Sequence, residues 1–426
     1  MISEGWIFLF MVGTFVASAF ALRLPIGICL VIASVVGLLA GGEGFALRHM
    51  VEGTFGYLNT ILVIGCAMMF MKAIQASGLL DTVARWLIDT FYRSRALLLV
   101  GLTFLTMFPG MITGSSTASV LTTGALVAPV LMHLGIPKQK TAAIIAMAAI
   151  YGMLAPPVNI PAMIIGGGID MPYVGFAKPL LLATIPLAIA ISLFLGLPHL
   201  RRLRSLDLVR ERLPESYHRT YGLRLYLPFV VLVVLMAGPN LLPGKFPDLG
   251  MPLTFFIAAA AAVLSGKPVV PWAVARGAIR DALPVMGILM GVGMFIQVMT
   301  VTGVRGFVVV GCLGLPRALL YGAMAVSVPL FGAVSAFGSS SVLGVPFLLA
   351  LLGTHNEIVA ASGLTLLAGL GDLMPPTALA GIFAAQVVDE RNYFVVLRHC
   401  VIPAILTAAW ALVLIRWATP IARWLL

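Results

Sequence analysis

The chain alternates long apolar runs with short polar segments. Runs of roughly 17 to 25 apolar residues have the length that a helix needs to cross a bilayer. The apolar runs that we take as spans are residues 5–22, 25–41, 57–77, 175–197, 225–238, 250–265, 282–302 and 397–418. This pattern predicts an all-α polytopic membrane protein.

Polar segments of two kinds separate the spans. Residues 43–56, 79–95 and 268–281 mix charges with apolar positions, which is typical of helices lying at a membrane surface. The segment 198–224 is strongly basic instead, with Arg201, Arg202, Arg204, Arg210, Arg212, Arg219 and Arg224. It predicts a cytoplasmic loop that fixes the topology; a contact surface for lipid or a partner is the alternative.

Helix breakers and small hydroxyl residues interrupt four further apolar stretches. Residues 96–133 contain Met111-Ile-Thr-Gly-Ser-Ser-Thr-Ala-Ser119, and residues 316–353 contain Phe337-Gly-Ser-Ser-Ser341; both predict re-entrant helical hairpins. Residues 141–169 and 356–390 each carry a Pro-Pro pair and predict broken helices. Broken backbone at membrane depth is tolerated only where it is buried in protein or lines a wet cavity.

These features occur twice along the chain. Gly303 matches Gly78 at an offset of 225 (303 − 78), Gly338 matches Gly114 at 224 (338 − 114), and Pro375 matches Pro156 at 219 (375 − 156). The shrinking offset predicts a deletion in the second arm of the second hairpin. We expect scaffold spans and an interfacial helix at 1–56, a first repeat at 57–197, the basic loop, further scaffold spans at 225–281 and a second repeat at 282–418.

The distribution of Lys and Arg predicts how the repeats lie in the membrane. With the basic loop in the cytoplasm, the four spans before it and the broken span 141–169 make five crossings. They place the N-terminus outside, and most other basic residues fall inside. The first hairpin then opens from the cytoplasm and the second from outside. The halves form an inverted repeat, which is typical of alternating-access transporters.

Composition narrows the class of protein further. Of 426 residues, 61% are hydrophobic and 10% charged, against about 25% charged in soluble domains. The net charge of +11 is explained by basic cytoplasmic loops and anionic lipid rather than by nucleic acid. Cys29, Cys66, Cys312 and Cys400 have no paired spacing, so we expect neither disulfides nor a metal site. Without a nucleophile, nucleotide-binding or metalloprotease motif, an intramembrane enzyme ranks lowest.

The hairpin tips and the Pro-Pro breaks are the candidate binding site. Hydroxyls and unwound carbonyls suit Na⁺, and half-helix N-termini suit a carboxylate. The candidate residues are Thr113, Gly114, Ser115, Ser116, Thr117, Gly152, Pro156, Pro157, Asn159, Gly338, Ser339, Ser340, Ser341, Gly371, Asp372, Pro375, Pro376 and Thr377. Close helix packing by small residues is the structural alternative.

Asp372 is the sharpest single candidate, because a carboxylate inside an apolar run is costly and usually functional. It can ligate a cation, carry a proton, pair with a basic group or cap the helix after Pro375. The Na⁺ candidates are Ser115, Ser116, Ser339, Ser340 and Asp372. Lys72, near the end of a span, is expected to extend toward the membrane surface.

These motifs together resemble a known family. Gly114-Ser-Ser-Thr-Ala118, Gly135-Ile-Pro137, Tyr151-Gly-x-x-Ala-Pro-Pro157 and Gly371-x-x-x-Pro-Pro376 resemble the large membrane subunit of tripartite ATP-independent periplasmic (TRAP) transporters. The resemblance covers nearly the whole chain. Asp372 stands where we expect a neutral residue in that family, so proton coupling stays open beside Na⁺ coupling.

The resemblance implies more than the residues alone show. It implies an elevator-type importer of organic acids, such as a C4-dicarboxylate or sugar acid, in a bacterial inner membrane. It also implies two partners, a separate small four-helix membrane subunit and a periplasmic substrate-binding protein. The alternatives are a stand-alone ion-coupled carrier of the same superfamily and, ranked well below it, a membrane scaffold without transport.

Overall fold

The computed structural model describes residues 3–200, 215–242 and 244–426, and this part of the chain is helical, with no β-strand. The helices of the first half are α1 Glu4–Phe20, α2 Ile26–Gly41, α3 Leu47–Phe55, α4 Leu58–Ala76, α5 Leu79–Phe91, α6 Arg95–Thr113, α7 Ser116–Ser119, α8 Ala125–His133, α9 Lys138–Leu154, α10 Ile160–Gly167 and α11 Ala177–Gly196.

The second half continues the numbering. Its helices are α12 His218–Tyr221, α13 Leu227–Leu241, α14 Gly250–Ser265, α15 Pro271–Val301, α16 Val304–Leu313, α17 Arg317–Gly332, α18 Ala336–Ser339, α19 Val345–Leu351, α20 Glu357–Gly369, α21 Leu379–Val387, α22 Tyr393–Arg416 and α23 Ala418–Leu425. The shorter pieces are π-helical turns at Val120–Gly124 and Ser340–Gly344 and 3₁₀ turns at Leu197–His199, Gly222–Tyr226 and Leu370–Leu373.

The expectation of an all-helical membrane protein with several spans is confirmed. Among the described residues, seven helices have the length and hydropathy of a membrane span. Most of the basic loop, residues 201–214, lies outside the described residues, so its predicted role stays a prediction. Arg219 and Arg224 lie in α12 and in the 3₁₀ turn that follows it.

Two hydrophobic cores organise the helices into two bodies. The first body is centred on α1 to α4 and α13 to α15, where Phe70 and Phe255 are fully buried. The second body is centred on α6, α8, α9, α11, α20 and α22, around the buried Tyr151. Ile112 and Val334, at the ends of the two hairpin arms, belong to the core of the first body. The hairpin tips therefore lie where the two bodies meet.

Helix α15 corrects one predicted boundary. Residues 268–281 were expected to form a separate interfacial helix, but α15 runs without interruption from Pro271 to Val301, through the predicted domain boundary at 281. One charge of that segment is paired within the fold, since Asp281 Oδ2 lies 2.5 Å from Lys72 Nζ on α4. Lys72 therefore pairs with Asp281 instead of extending to the surface unpaired.

Candidate functional site

The first hairpin turns between α6 and α7. Gly114 ends α6 in the left-handed region, with φ of 65°. A Cβ there would lie 2.5 Å from Ile160 Cγ1, so both the backbone angle and the space require glycine. Ser115 then caps α7, its hydroxyl accepting a hydrogen bond from Ala118 N at 3.2 Å. The tip thus consists of Ser115, Ser116 and Thr117.

The second hairpin has the same construction four residues earlier than its sequence suggested. Ser335 caps α18 and accepts from Gly338 N at 3.1 Å, as Ser115 does for α7. The offset between these caps is 220 (335 − 115), and the prolines inside the first arms, Pro109 and Pro329, have the same offset (329 − 109). The second tip is therefore Ser335-Ala336-Phe337.

This register corrects the predicted tip at Gly338–Ser341, which is wrong. Those residues lie within α18 and the π-helical turn after it. The hydroxyls of Ser339, Ser340 and Ser341 donate to the carbonyls of Val328, Ala336 and Gly338 at 2.6, 2.8 and 2.8 Å. Aligning the two Gly-Ser-Ser sequences gave the wrong register. Hydroxyl residues also occur inside helices, where they bond the carbonyls of the preceding turn.

The predicted deletion also lies elsewhere. The offset is already 220 at the second tip and 219 at the Pro-Pro pairs, so the second arm is shortened by one residue at most. The earlier helices account for the rest. Helix α16 has 10 residues where α5 has 13, and α17 has 16 where α6 has 19.

The two breaks interrupt helices at equivalent places. Both Pro156-Pro157 and Pro375-Pro376 are cis. Helix α9 ends at Leu154 and α10 begins at Ile160, with Asn159 as its cap: Asn159 Oδ1 accepts from Ala162 N at 2.9 Å and its amide donates to Leu154 O at 2.7 Å. These bonds satisfy the amide within the break, so Asn159 shapes the backbone there.

Two predicted site glycines serve close packing. A Cβ on Gly152 would lie 2.4 Å from Met107 O, and a Cβ on Gly371 would lie 2.2 Å from the carbonyl carbon of Gly332. In each half, the glycine lets the first hairpin arm touch the backbone of the broken helix. Gly152 and Gly371 therefore serve close helix packing, which was the alternative to a binding role, and they hold each hairpin against its break.

Hydrogen bonds fasten each break to its own hairpin. Val158 N donates to Met111 O at 3.1 Å in the first half, and Thr377 Oγ1 donates to Ala333 O at 2.7 Å in the second. Thr113 Oγ1 bonds Pro109 O in its own helix at 2.7 Å. Each hairpin and its neighbouring break thus form one bonded unit.

The two units meet at Asp372. Ser116 Oγ, on the first tip, donates to Asp372 Oδ2, in the second break, at 2.5 Å. Asp372 is only 7% exposed. It does not cap the following helix, because α21 begins at Leu379 with Ala378 as its cap residue and no side-chain cap bond. The cap interpretation of Asp372 is therefore wrong, and its carboxylate faces the other half of the chain.

A cavity of about 410 Å³ opens beside this contact. Five of the predicted residues line it: Ser115, Ser116, Thr117, Asp372 and Thr377. Pro156 and Pro157 line a different cavity of about 670 Å³, and Pro376 lines a third of about 420 Å³. The structure thus brings the first tip and the second break together, and places the first break elsewhere.

The cavity also has walls that sequence reasoning missed. The second body adds Met153, Ser335, Ala336, Phe337, Leu379 and Phe383, and the first body adds Ile26, Asp281, Pro284, Val285 and Ile288 together with Val334, which packs in its core. Aligning the halves on Pro109 and Pro329 would have found Ser335. Nothing in the sequence indicated that Asp281 and Ile288 line this cavity, because only the packing of α15 brings them to the hairpins.

Metal-ligating clusters are not a feature of this site. No group of three or more His, Cys, Asp or Glu gathers anywhere in residues 3–200, 215–242 and 244–426. All four cysteines are free thiols. The acidic residues of this cavity are Asp372 and Asp281, and hydroxyl oxygens lie beside them.

Comparison with solved structures finds a similar fold. The chain shares its fold with the YdaH transporter of Alcanivorax borkumensis, at a TM-score of 0.60 and 17% identity over 87% of each chain. A comparison with curated proteins finds no match.

The family of the chain follows from its sequence as a whole. The family model described as "Tripartite ATP-independent periplasmic transporter, DctM component" matches residues 12–421. The chain therefore belongs to the DctM family, and the resemblance inferred from its motifs is confirmed. It is a component of a TRAP-type secondary transporter.

Proposed function

We propose that this chain is the large membrane subunit of a cation-coupled importer that takes up a small organic acid, such as a C4-dicarboxylate or sugar acid. The family supplies the transporter class. The observation that carries the proposal is the contact of Ser116 with Asp372, which joins a hairpin tip of one half to the helix break of the other. Sites of this kind lie between repeats in secondary transporters.

The coupling cation would bind beside Asp372. Ser116 donates one hydrogen bond to Oδ2, and the remaining carboxylate lone pairs are open to a cation or proton. Ser115 and Thr117 line the same cavity and supply hydroxyl oxygens. Oxygen ligands and unwound carbonyls suit Na⁺ in transporters, and a protonated Asp372 would couple transport to H⁺ instead.

An elevator movement of the second body against the first is the mechanism that we propose. Most of both hairpins and the second break with Asp372 pack with the second body, and the first break contributes to both cores. Ile26, Asp281 and Ile288 close the cavity from the first body. The matching caps at Ser115 and Ser335 support a repeat, and the charge bias of the sequence supports its inversion.

Membership of the DctM family supports the assembly that we propose. We propose a bacterial inner-membrane location with the N-terminus in the periplasm, a separate small four-helix subunit and a periplasmic substrate-binding protein. The stand-alone carrier is the second candidate, and the scaffold without transport is the third.

Reconstitution distinguishes these candidates. Proteoliposomes would hold the chain alone, the chain with its small subunit, or both with the soluble binding protein, and uptake of labelled acids would be measured under an inward Na⁺ or proton gradient. We expect uptake only in the complete assembly. Equal uptake by the chain alone would establish a stand-alone carrier, and no uptake in any arrangement would leave the scaffold.

A further inference from the structure

The cavity beside Asp372 has mostly apolar walls. Five of its lining residues carry hydroxyls, and four of these already make one hydrogen bond within the chain. Ser116 Oγ bonds Asp372, and Thr377 Oγ1 bonds Ala333 O. Ser115 and Ser335 accept the backbone bonds that cap α7 and α18. Thr117 is the fifth. Each bonded hydroxyl keeps its proton or a lone pair for a further bond, so the cavity offers a substrate only a few hydrogen bonds, and each substrate hydroxyl left unpaired carries a cost.

Aromatic and aliphatic side chains form the rest of the lining. Phe337, at the second tip, and Phe383, on α21, lie in the second body, and Ile288 faces them from α15. Pockets that hold small ligands are usually apolar with a few polar groups that fix orientation. These walls fit a substrate whose body is hydrocarbon.

The charges around the cavity favour a single carboxylate. Asp281 and Asp372 both line it, and only Asp281 has a basic partner, Lys72. The adjoining cavity of about 420 Å³ shares Ile26, Val334 and Thr377 and contains Arg23. Within the described part of the chain, Arg23 has no hydrogen-bond or ion-pair partner. It is therefore the one basic side chain here that is open to an anion, while a second carboxylate would face the carboxylate of Asp372.

We propose that this pair of cavities selects a monocarboxylate with an apolar aliphatic or aromatic body, held by Phe337 and Phe383, with its carboxylate toward Arg23. This rests on the proposed function and narrows its substrate class away from dicarboxylates and sugar acids. A guanidinium matches a carboxylate by a two-pronged hydrogen bond, which fixes orientation as well as charge.

The first test uses the unmodified chain. Thermal unfolding of the full-length protein in detergent with NaCl is followed against increasing phenylacetate, 4-methyl-2-oxopentanoate, succinate or gluconate. We expect the two apolar acids to half-saturate at concentrations about tenfold lower than the other two. Stronger or equal stabilisation by succinate or gluconate overturns the inference and leaves the proposed function standing. If phenylacetate gives no stabilisation, the inference also fails; absence of acid uptake in the reconstitution above is what refutes the proposed function.

Two variants with matched controls assign the contacts. Phe383→Ser should weaken the binding of phenylacetate about fivefold or more. The binding of acetate, which lacks an aromatic ring, should not change. Arg23→Gln should weaken the binding of phenylacetate and of acetate about tenfold each, and Arg23→Lys should partly restore it. The controls are Phe394→Ser, 62% exposed on α22, and Arg48→Gln, whose partner is Glu52.

The ligand-free unfolding temperature of each variant shows whether it folds, and the comparison of phenylacetate with acetate is made within one variant. For Phe383→Ser, a general structural defect would weaken the binding of both acids equally. For Arg23→Gln, partial recovery in Arg23→Lys and an unchanged ligand-free unfolding temperature distinguish the lost charge from such a defect. The assignment is overturned if Arg23→Gln binds both acids like the unmodified chain, or if Phe383→Ser weakens acetate as much as phenylacetate.

Discussion

At the scale of single residues, Asp372 shows what a sequence can and cannot reveal. As a lone charge in an apolar run it is visible without a structure. Its partner is not visible, since Ser116 lies 256 positions away and is one of many serines in similar surroundings. A carboxylate with one hydroxyl donor keeps lone pairs for a cation or proton. The contact joins the tip of the first hairpin to the second helix break, two segments that are distant in the sequence.

The register of the second tip gives a prediction at the same scale. Ser335→Ala removes the cap of α18 at the cavity, and we expect a loss of stability of about 1 kcal/mol together with slower uptake. Ser341→Ala is the matched control, because that buried hydroxyl bonds its own helix and lies away from the cavity. Initial uptake rates in proteoliposomes compare the two. A larger effect of Ser341→Ala would restore the tip read from the sequence.

At the scale of elements, the breaks were predictable and their exact pairing was not. Pro-Pro pairs and glycines mark where helices cannot continue, and the structure ends α9 and the 3₁₀ turn after α20 just before those pairs. The equivalent positions of the two halves are the residues that cap the helices, and not the residues whose sequences match best. The second tip is therefore at Ser335 and not at Gly338. Helix α15 was misjudged because one of its charged residues, Asp281, is paired with Lys72 on another helix, which the sequence does not show.

The close approach of hairpin and broken helix gives the prediction for this scale. Gly371→Ala would place a Cβ 2.2 Å from the backbone of Gly332, so α17 and the break must move apart. We expect a loss of about 1 to 3 kcal/mol of stability. Gly322→Ala on α17 is the control: nothing lies within 4 Å of its Cβ, and alanine favours the helix by about 1 kcal/mol. Thermal unfolding measures both, and equal stability of the two variants would contradict the packing role.

At the scale of the whole molecule, the two bodies are visible only in the structure. The sequence predicted a repeat with scaffold spans before each half, but hydropathy does not say which helices pack together. Packing joins α1 to α4 with α13 to α15 across the basic loop. Phe15 on α1 stacks on Phe331 on α17 with ring centroids 5.5 Å apart, which links one body to the other. An elevator movement requires this contact to separate.

Cross-linking tests that movement. After replacement of the four native cysteines, Phe15→Cys with Phe331→Cys is linked by a short, reducible reagent. We expect uptake to fall by at least about tenfold and to return on reduction, because the bodies are locked together. Phe70→Cys with Phe255→Cys is the control within the first body, where the ring centroids are 6.1 Å apart. Undiminished uptake by the linked Phe15–Phe331 pair would contradict an elevator.

The central claim is that Asp372 couples a cation to uptake. Its most direct test is accumulation of labelled acid by the complete assembly with Asp372→Asn, across a range of Na⁺ and pH gradients. Asp248→Asn, in an exposed loop, is the control. We expect Asp372→Asn to fold but to lose gradient-driven accumulation, by a factor between about 5 and 150 for a coupling of ordinary strength. Accumulation equal to that of the unmodified chain at every Na⁺ concentration and pH would contradict the account.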